Sequence, residues 1–199
     1  MKRVCLDTAG MSSDRLRPFF ASLPSAEGER IAALMRYLTL WMVFKDPPEH
    51  TRLRRLAARV FNVRSVNTLR PHIEAVTASL LDDLRGRREF DFIGEFAGPL
   101  PALVIMHMLG VPRGELPRLK RLSDEMALFI GSARDSPDKY GRAEAATTEM
   151  AALFRELIVL RRKKPQSDLL TELVQVEEAG DRLSEDELVA GKQQQHAGG

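Results

Sequence analysis

Cysteine is nearly absent from this sequence. The one cysteine, Cys5, cannot form an internal disulfide, and a chain without a disulfide framework fits a reducing compartment. No apolar run is long enough to span a bilayer, and Asp7 interrupts the first apolar stretch, so the start does not match a signal peptide. With a net charge of +2, the composition favours no strongly charged partner. We expect a cytoplasmic protein that binds neither nucleic acid nor membrane.

Self-contained catalytic motifs are also absent. There is no G-x-S-x-G elbow, no H-E-x-x-H pair, no phosphate loop and no dinucleotide fingerprint. Ser136 and Lys139 match a serine–lysine pair only weakly, and Cys5 has no glycine-rich loop around it. His107 lies in an apolar helical segment without a second ligand at metal spacing, which is more typical of a packing residue. We therefore assign no catalytic residue and no metal ligand.

Helical periodicity is what the sequence does contain. A chain of 199 residues with 44% hydrophobic residues can bury a core, and we expect one all-α domain over residues 1–190 with little or no sheet, followed by a polar tail at 191–199. Apolar spacing, caps and proline positions predict helices at about 14–20, 26–38, 47–61, 71–85, 99–109, 116–129, 140–162 and 168–179. Residues 63–69 should form a short helix or turn, and 90–92 an extended segment.

Several side chains receive specific predictions. His72 lies off the apolar stripe of its helix and should be exposed, whereas the basic run at 161–164 should be a solvated helix end. The predicted core face of the 71–85 helix consists of Ile73, Val76, Leu80, Leu81 and Leu84.

The helix that begins near Asp46 offers the clearest binding feature. Asp46 can cap the helix, Pro47 suits its first position, and Glu49 meets the positive end of the dipole. His50 and Arg54 lie one turn apart on the half-buried border of this helix, between an apolar stripe and the arginine face opposite that stripe. The stripe consists of Leu53, Leu56 and Val60, and the arginine face of Arg52, Arg55 and Arg59. Because imidazole and guanidinium are both hydrogen-bond donors, this pair could bind an anion.

The stretch 46–55, followed by Phe61, resembles the C helix of the bacterial cytochromes P450. The resemblance continues through the blocks at 61–64, 69–71, 91–93, 101–105, 109–112 and 183–188. It implies an irregular helical domain, haem as the cofactor, and His50 and Arg54 as ligands of the haem propionates. The activity that it implies is haem-thiolate monooxygenation.

The resemblance also predicts the positions of the substrate pocket and of the mobile cover over it. Residues 39–44 would border the substrate pocket, with Trp41, Met42, Val43 and Phe44 as its candidates; alternatively, Trp41 and Phe44 are simply core. The segment from Gly131 to Asp138 would be the flexible part of a mobile cover over that pocket.

The resemblance covers the B′ to H helices and stops at the start of the I helix. Ser184 and Glu187 form a capping box, yet the sequence turns polar after Ala190, which suggests a truncated or frame-shifted gene. The family's oxygen-handling helix, Glu-x-x-Arg helix and cysteine ligand are not found. We therefore expect weak or absent haem binding and no monooxygenation by this chain alone.

The alternative is a haem-free helical module that binds a small hydrophobic ligand or a protein partner. Exposed apolar faces predict self-association.

Overall fold

A computed structural model describes residues 11–60, 67–130, 138–175, 177–178, 181–182, 186–187 and 189–190. The α-helices are α1 (Leu16–Ala21), α2 (Ser25–Arg30), α3 (Ala32–Leu38), α4 (Glu49–Val60), α5 (Arg70–Asp83), α6 (Pro99–Met108), α7 (Leu116–Ile130), α8 (Lys139–Lys163) and α9 (Leu169–Gln175). Residues Met42–Phe44 and Arg113–Glu115 form 3₁₀ turns, and Ile93–Ala97 form a π-helical turn. Two short antiparallel strands, β1 (Glu177–Glu178) and β2 (Asp181–Arg182), pair Glu177 with Arg182. The all-α prediction with little sheet is confirmed.

The core is built around α8. This helix packs against α7, α3 and α9, and its inward face includes Ala143, Met150, Phe154 and Ile158, none of which exposes surface. The periodicity of the sequence predicted this face correctly. The helix α7 contributes Leu119, Leu122 and Met126, which are equally buried.

The predicted 26–38 helix is in fact two helices that meet at Ile31. The backbone of Ile31 leaves the helical region, with φ −116° and ψ 23°. This break frees the N–H groups of Ala33 and Leu34, and both donate to the carboxylate of Glu144, at 3.1 and 2.7 Å. A side chain from α8 therefore caps α3, which stabilises a break that local spacing does not predict.

The extended segment predicted at 90–92 is partly wrong, because Phe92 already begins a helical turn. Asp91 accepts hydrogen bonds from the N–H groups of Ile93 and Gly94, and Glu95 accepts one from the N–H of Asp91. This reciprocal arrangement is a capping box, which favours a helix start over a strand.

The end of α8 corrects the expectation of a solvated basic run at one residue, since 162–164 are exposed as predicted and Arg161 is not. Arg161 is 3% exposed; its Nε donates to Asp168 at 2.5 Å and its Nη2 donates to the Gly110 carbonyl at 2.7 Å. Asp168 also caps α9 by accepting from the Thr171 N–H at 2.8 Å, at the place where the sequence predicted that a helix begins. Gly110, with φ +65°, ends α6 at the predicted position. One buried ion pair thus joins the ends of three helices.

The stripe predicted for the 71–85 helix is only partly buried. Val76, Leu80 and Leu84 are buried, whereas Ile73 and Leu81 are 38% and 53% exposed. The helix packs against α6 and the π-helical turn, and these neighbours cover one side of the stripe only.

Some predictions concern residues outside the described part of the chain. These are Cys5, residues 63–66, Ser136 and the rest of 131–137, Gly180, Ser184 and the tail at 191–199. Among the described helices, none combines the length and the apolar character that a membrane crossing requires.

Candidate anion-binding site on helix α4

The start of α4 is held by backbone contacts and not by the predicted Asp46 side-chain cap. The N–H of His50 donates to the Asp46 carbonyl at 3.0 Å. The Asp46 carboxylate instead accepts from the Ser12 hydroxyl and from the Ser13 N–H, at 2.8 Å for the latter. These two hydrogen bonds lower the pKa of Asp46. The prediction that the Asp46 side chain caps α4 is wrong, because hydrogen bonds from Ser12 and Ser13 occupy its carboxylate.

His50 and Arg54 lie one turn apart on α4, as predicted. His50 is half-buried and Arg54 is exposed, so the pair sits at the edge of the covered surface and not wholly within it. Residues four apart on a helix are neighbours, with Cβ atoms about 5–6 Å apart. Within the described part of the chain, neither side chain forms a hydrogen bond, and His50 interacts with the Asp46 carboxylate only through its charge. Both residues are hydrogen-bond donors, and their spacing places them on the same side of α4.

Arg52 departs from the expected solvated arginine face. Its side chain is 24% exposed and forms an ion pair with Glu187, whose side chain is 14% exposed. The two residues are 135 positions apart, so no local signal in the sequence indicates the pair. On the same helix, Leu56 is fully buried and Arg55 is exposed.

The neighbour of Glu187, Asp186, joins a second charged cluster. Asp186 accepts from Arg36 Nε at 2.9 Å and lies 3.4 Å from Arg155 Nη2. Both arginines lie over the ring of Tyr37, and Arg155 donates to its hydroxyl. Burial raises the pKa of Tyr37, while the hydrogen bond to Asp186 raises the pKa of Arg36. The 186–187 segment is thus bound to several helices.

The four candidate pocket residues divide into core and surface. Trp41 and Phe44 are buried, with ring centroids 6.2 Å apart in a stacked arrangement. Met42 is half-buried and Val43 is 54% exposed. The burial of the aromatic pair agrees with the core alternative, and a role of these residues in a substrate pocket stays a prediction.

His72 is not exposed, contrary to the sequence-based expectation. Its ring is half-buried and stacks on His107, with centroids 3.5 Å apart. Burial lowers the pKa of His72, and the nearby His107 lowers it further. Among the described residues, no group of three histidine, cysteine or carboxylate side chains could hold a metal ion.

Apolar surface is concentrated around the π-helical turn. Phe90, Phe92 and Ile93 are 43%, 55% and 69% exposed, and we call these three residues the Phe92 patch. Beside them, a cavity of about 350 Å³ opens between the 93–106 region and α7. Its lining includes Ala97, Ala102, Ile105, Met106, Leu119 and Ser123.

Known proteins resemble this chain in both sequence and fold. Cytochrome P450 107B1 of Saccharopolyspora erythraea is 41% identical over 165 residues, which cover 83% of this chain and 39% of that protein. Cytochrome P450 CYP107DY1 of Priestia megaterium is 37% identical over 149 residues, or 75% of this chain and 35% of that protein. The chain belongs to the bacterial cytochrome P450 family. No protein-family model matches it.

Solved P450 structures superimpose on the same region. P450BioI, in complex with acyl carrier protein ligated to hexadec-9Z-enoic acid, has a TM-score of 0.78 at 28% identity and covers 88% of this chain. The myxobacterial cytochrome P450 CYP267B1, in complex with myristic acid, has a TM-score of 0.72 at 33% identity and covers 91%. The alignments span 44% and 43% of those chains. This P450 chain therefore spans roughly two fifths of the length of its relatives, and the recognition of the family is confirmed.

Proposed function

We propose that this chain binds haem through its propionate groups, with His50 and Arg54 as their ligands. It would form the propionate-holding part of a cytochrome P450-type monooxygenase. The observation that carries this proposal is the placement of both donors one turn apart on α4, where neither side chain is held in a hydrogen bond within the described residues. Membership of a haem-protein family supports it.

The chemistry of the pair suits carboxylates. The guanidinium of Arg54 is permanently charged and presents paired N–H donors, and the imidazole of His50 supplies a further donor. Hydrogen bonds between such donors and carboxylates are shorter and stronger than neutral ones. The half-buried position of His50 shields one of these contacts from water, whereas Arg54 stays at the solvent boundary.

The activity that we propose for this chain is limited to binding haem. Bound haem supplies the iron at which the monooxygenation typical of this family takes place, with a cysteine thiolate as the axial ligand. The only cysteine of this sequence is Cys5, which lies far along the chain from His50. We therefore propose that the chain holds haem through its acidic groups and does not oxidise substrates unaided.

Titration with haem, followed by the Soret absorbance, tests the proposal. The variant His50→Ala/Arg54→Ala should bind at least about tenfold more weakly, because each charge-assisted hydrogen bond contributes on the order of 1.5–3 kcal/mol. The control His107→Ala/Arg88→Ala removes the same side-chain types from exposed positions and should bind like the wild type. Equal affinity of the His50/Arg54 variant and the wild type would contradict the proposal.

A haem-free binding role is the second candidate, and the cavity beside α7 favours it. Its apolar lining suits a small hydrophobic ligand, and the similar P450 CYP267B1 was solved with myristic acid. Myristate should bind the wild type and lose affinity in Ala102→Trp, which fills the cavity. Calorimetric titration without saturable binding to the wild type would exclude this role.

The Phe92 patch supports self-association as a further proposal. Clusters of exposed apolar side chains on a protein surface mark sites of contact with other proteins. Light scattering should show concentration-dependent oligomers, and Phe90→Ser/Phe92→Ser should shift the population toward monomers. A monodisperse wild-type monomer at all concentrations would rule the proposal out.

A further inference from the structure

We propose that the Arg52–Glu187 ion pair is a positioning contact, which sets the rotation of helix α4 about its axis and thereby orients His50 and Arg54. The inference rests on the proposed binding of propionates by that pair. Neither Arg52 nor Glu187 would touch the ligand. Their effect would pass through the helix that carries the two donors.

Helix geometry places the ion pair opposite the anion-binding donors. At about 100° per residue, Arg52 lies about 160° around the helix from His50 and equally far from Arg54, on the other side. A contact at this point fixes the rotation of the helix without touching a ligand that the two donors bind. If the helix rolls about its axis, His50 moves toward the core or toward solvent, and Arg54 moves with it.

The apolar packing of α4 is centred on Leu56, with Leu53 and Ala57 half-buried beside it. Among the described side chains of this helix, Leu56 is the one that is fully buried. The helix packs mainly on the 42–44 turn and on α9. A second contact on another side of the helix therefore adds to what sets its rotation. The Arg52–Glu187 pair adds a second attachment that is partly shielded from water, where charges interact more strongly than at an open surface.

Glu187 is itself a fixed point. On one side of it, Asp186 is held by Arg36 from α3 and by Arg155 from α8. On the other side, Val189 and Ala190 are fully buried. Residues 186–187 and 189–190 therefore connect the central helices of the core to α4, and Glu187 makes the contact with the helix that carries His50 and Arg54.

A double-mutant comparison by haem titration tests the positioning role. Glu187→Gln should weaken haem binding roughly three- to tenfold in the wild-type background, a typical coupling for residues in one network. In the His50→Ala/Arg54→Ala background the same change should have no further effect, since no donors remain to be oriented. The charge exchange Arg52→Glu/Glu187→Arg should restore most of the affinity. Glu149→Gln removes a comparable ion pair between α7 and α8 and should leave haem affinity unchanged.

The outcomes separate this inference from the function on which it rests. If His50→Ala/Arg54→Ala weakens binding but Glu187→Gln does not, the positioning role is wrong and the propionate site stands. If Glu187→Gln weakens binding equally in both backgrounds, or if the charge exchange fails to restore it although circular dichroism shows a native helical content, Glu187 acts in another way. Equal binding by the wild type and His50→Ala/Arg54→Ala overturns both proposals.

Discussion

The buried ion pair between Arg161 and Asp168 should be among the most sensitive points of the fold. Their side chains are 3% and 5% exposed, and Asp168 also caps α9 through the Thr171 N–H. Removing one partner of a buried pair leaves an uncompensated charge, which costs about 3–5 kcal/mol. Loss of a helix cap costs about 1 kcal/mol more.

Two substitutions separate these contributions. Asp168→Asn keeps an oxygen that can cap α9 but removes the charge, so we expect the free energy of unfolding to fall by about 3 kcal/mol. Asp168→Ala removes both and should cost about 4–6 kcal/mol. For a chain of this length, each kcal/mol lowers the melting temperature by about 2–4 °C.

Urea denaturation followed by circular dichroism measures both effects. The control is Asp124→Ala, which removes an exposed ion pair with Lys120 and should cost less than about 0.5 kcal/mol. If Asp168→Ala were no more destabilising than Asp124→Ala, the ion pair would not join the three helix ends as the structure indicates.

Three further substitutions test the structure at other points. Gly110→Ala should destabilise the chain strongly in urea denaturation, because φ is +65° and a Cβ would collide with the side chains of Asp168 and Arg161. Phe154→Ala should cost about 3–5 kcal/mol in the same assay, since Phe154 is fully buried in the centre of α8. Burial, His107 and Arg113 hold the pKa of His72 below its ordinary value of 6.5, so the unfolded chain binds more protons below that pH. Stability should therefore fall as the pH drops below about 6.5, and His72→Phe should reduce this dependence; an unchanged pH profile would contradict it.

The sequence predicted those parts of the fold that local physics determines. The apolar period of α7 and α8, the glycine and proline at the end of α6, and the Asp168 cap all have nearby signals. The placement of His50 and Arg54 one turn apart on α4 was also predictable, because the helix start at 46–49 has local signals, whereas their role in binding stays a proposal.

The parts that sequence reasoning missed depend on distant partners. From the sequence alone, Arg161 belongs to a basic run that predicts a solvated helix end. In the folded chain, Asp168 and the Gly110 carbonyl accept its hydrogen bonds. The break at Ile31 is stabilised by Glu144, more than a hundred residues away, and the Arg52–Glu187 pair spans a similar distance. Contacts between residues so far apart leave no periodic pattern or short-range motif in the sequence.

The most direct test of the central claim compares haem with its dimethyl ester, in which both propionates are masked. If His50 and Arg54 hold the propionates, the wild type should bind free haem at least about tenfold more tightly than the ester, given the strength of charge-assisted hydrogen bonds. The variant His50→Ala/Arg54→Ala should lose this preference. Equal affinity of the wild type for haem and for the ester would contradict the account.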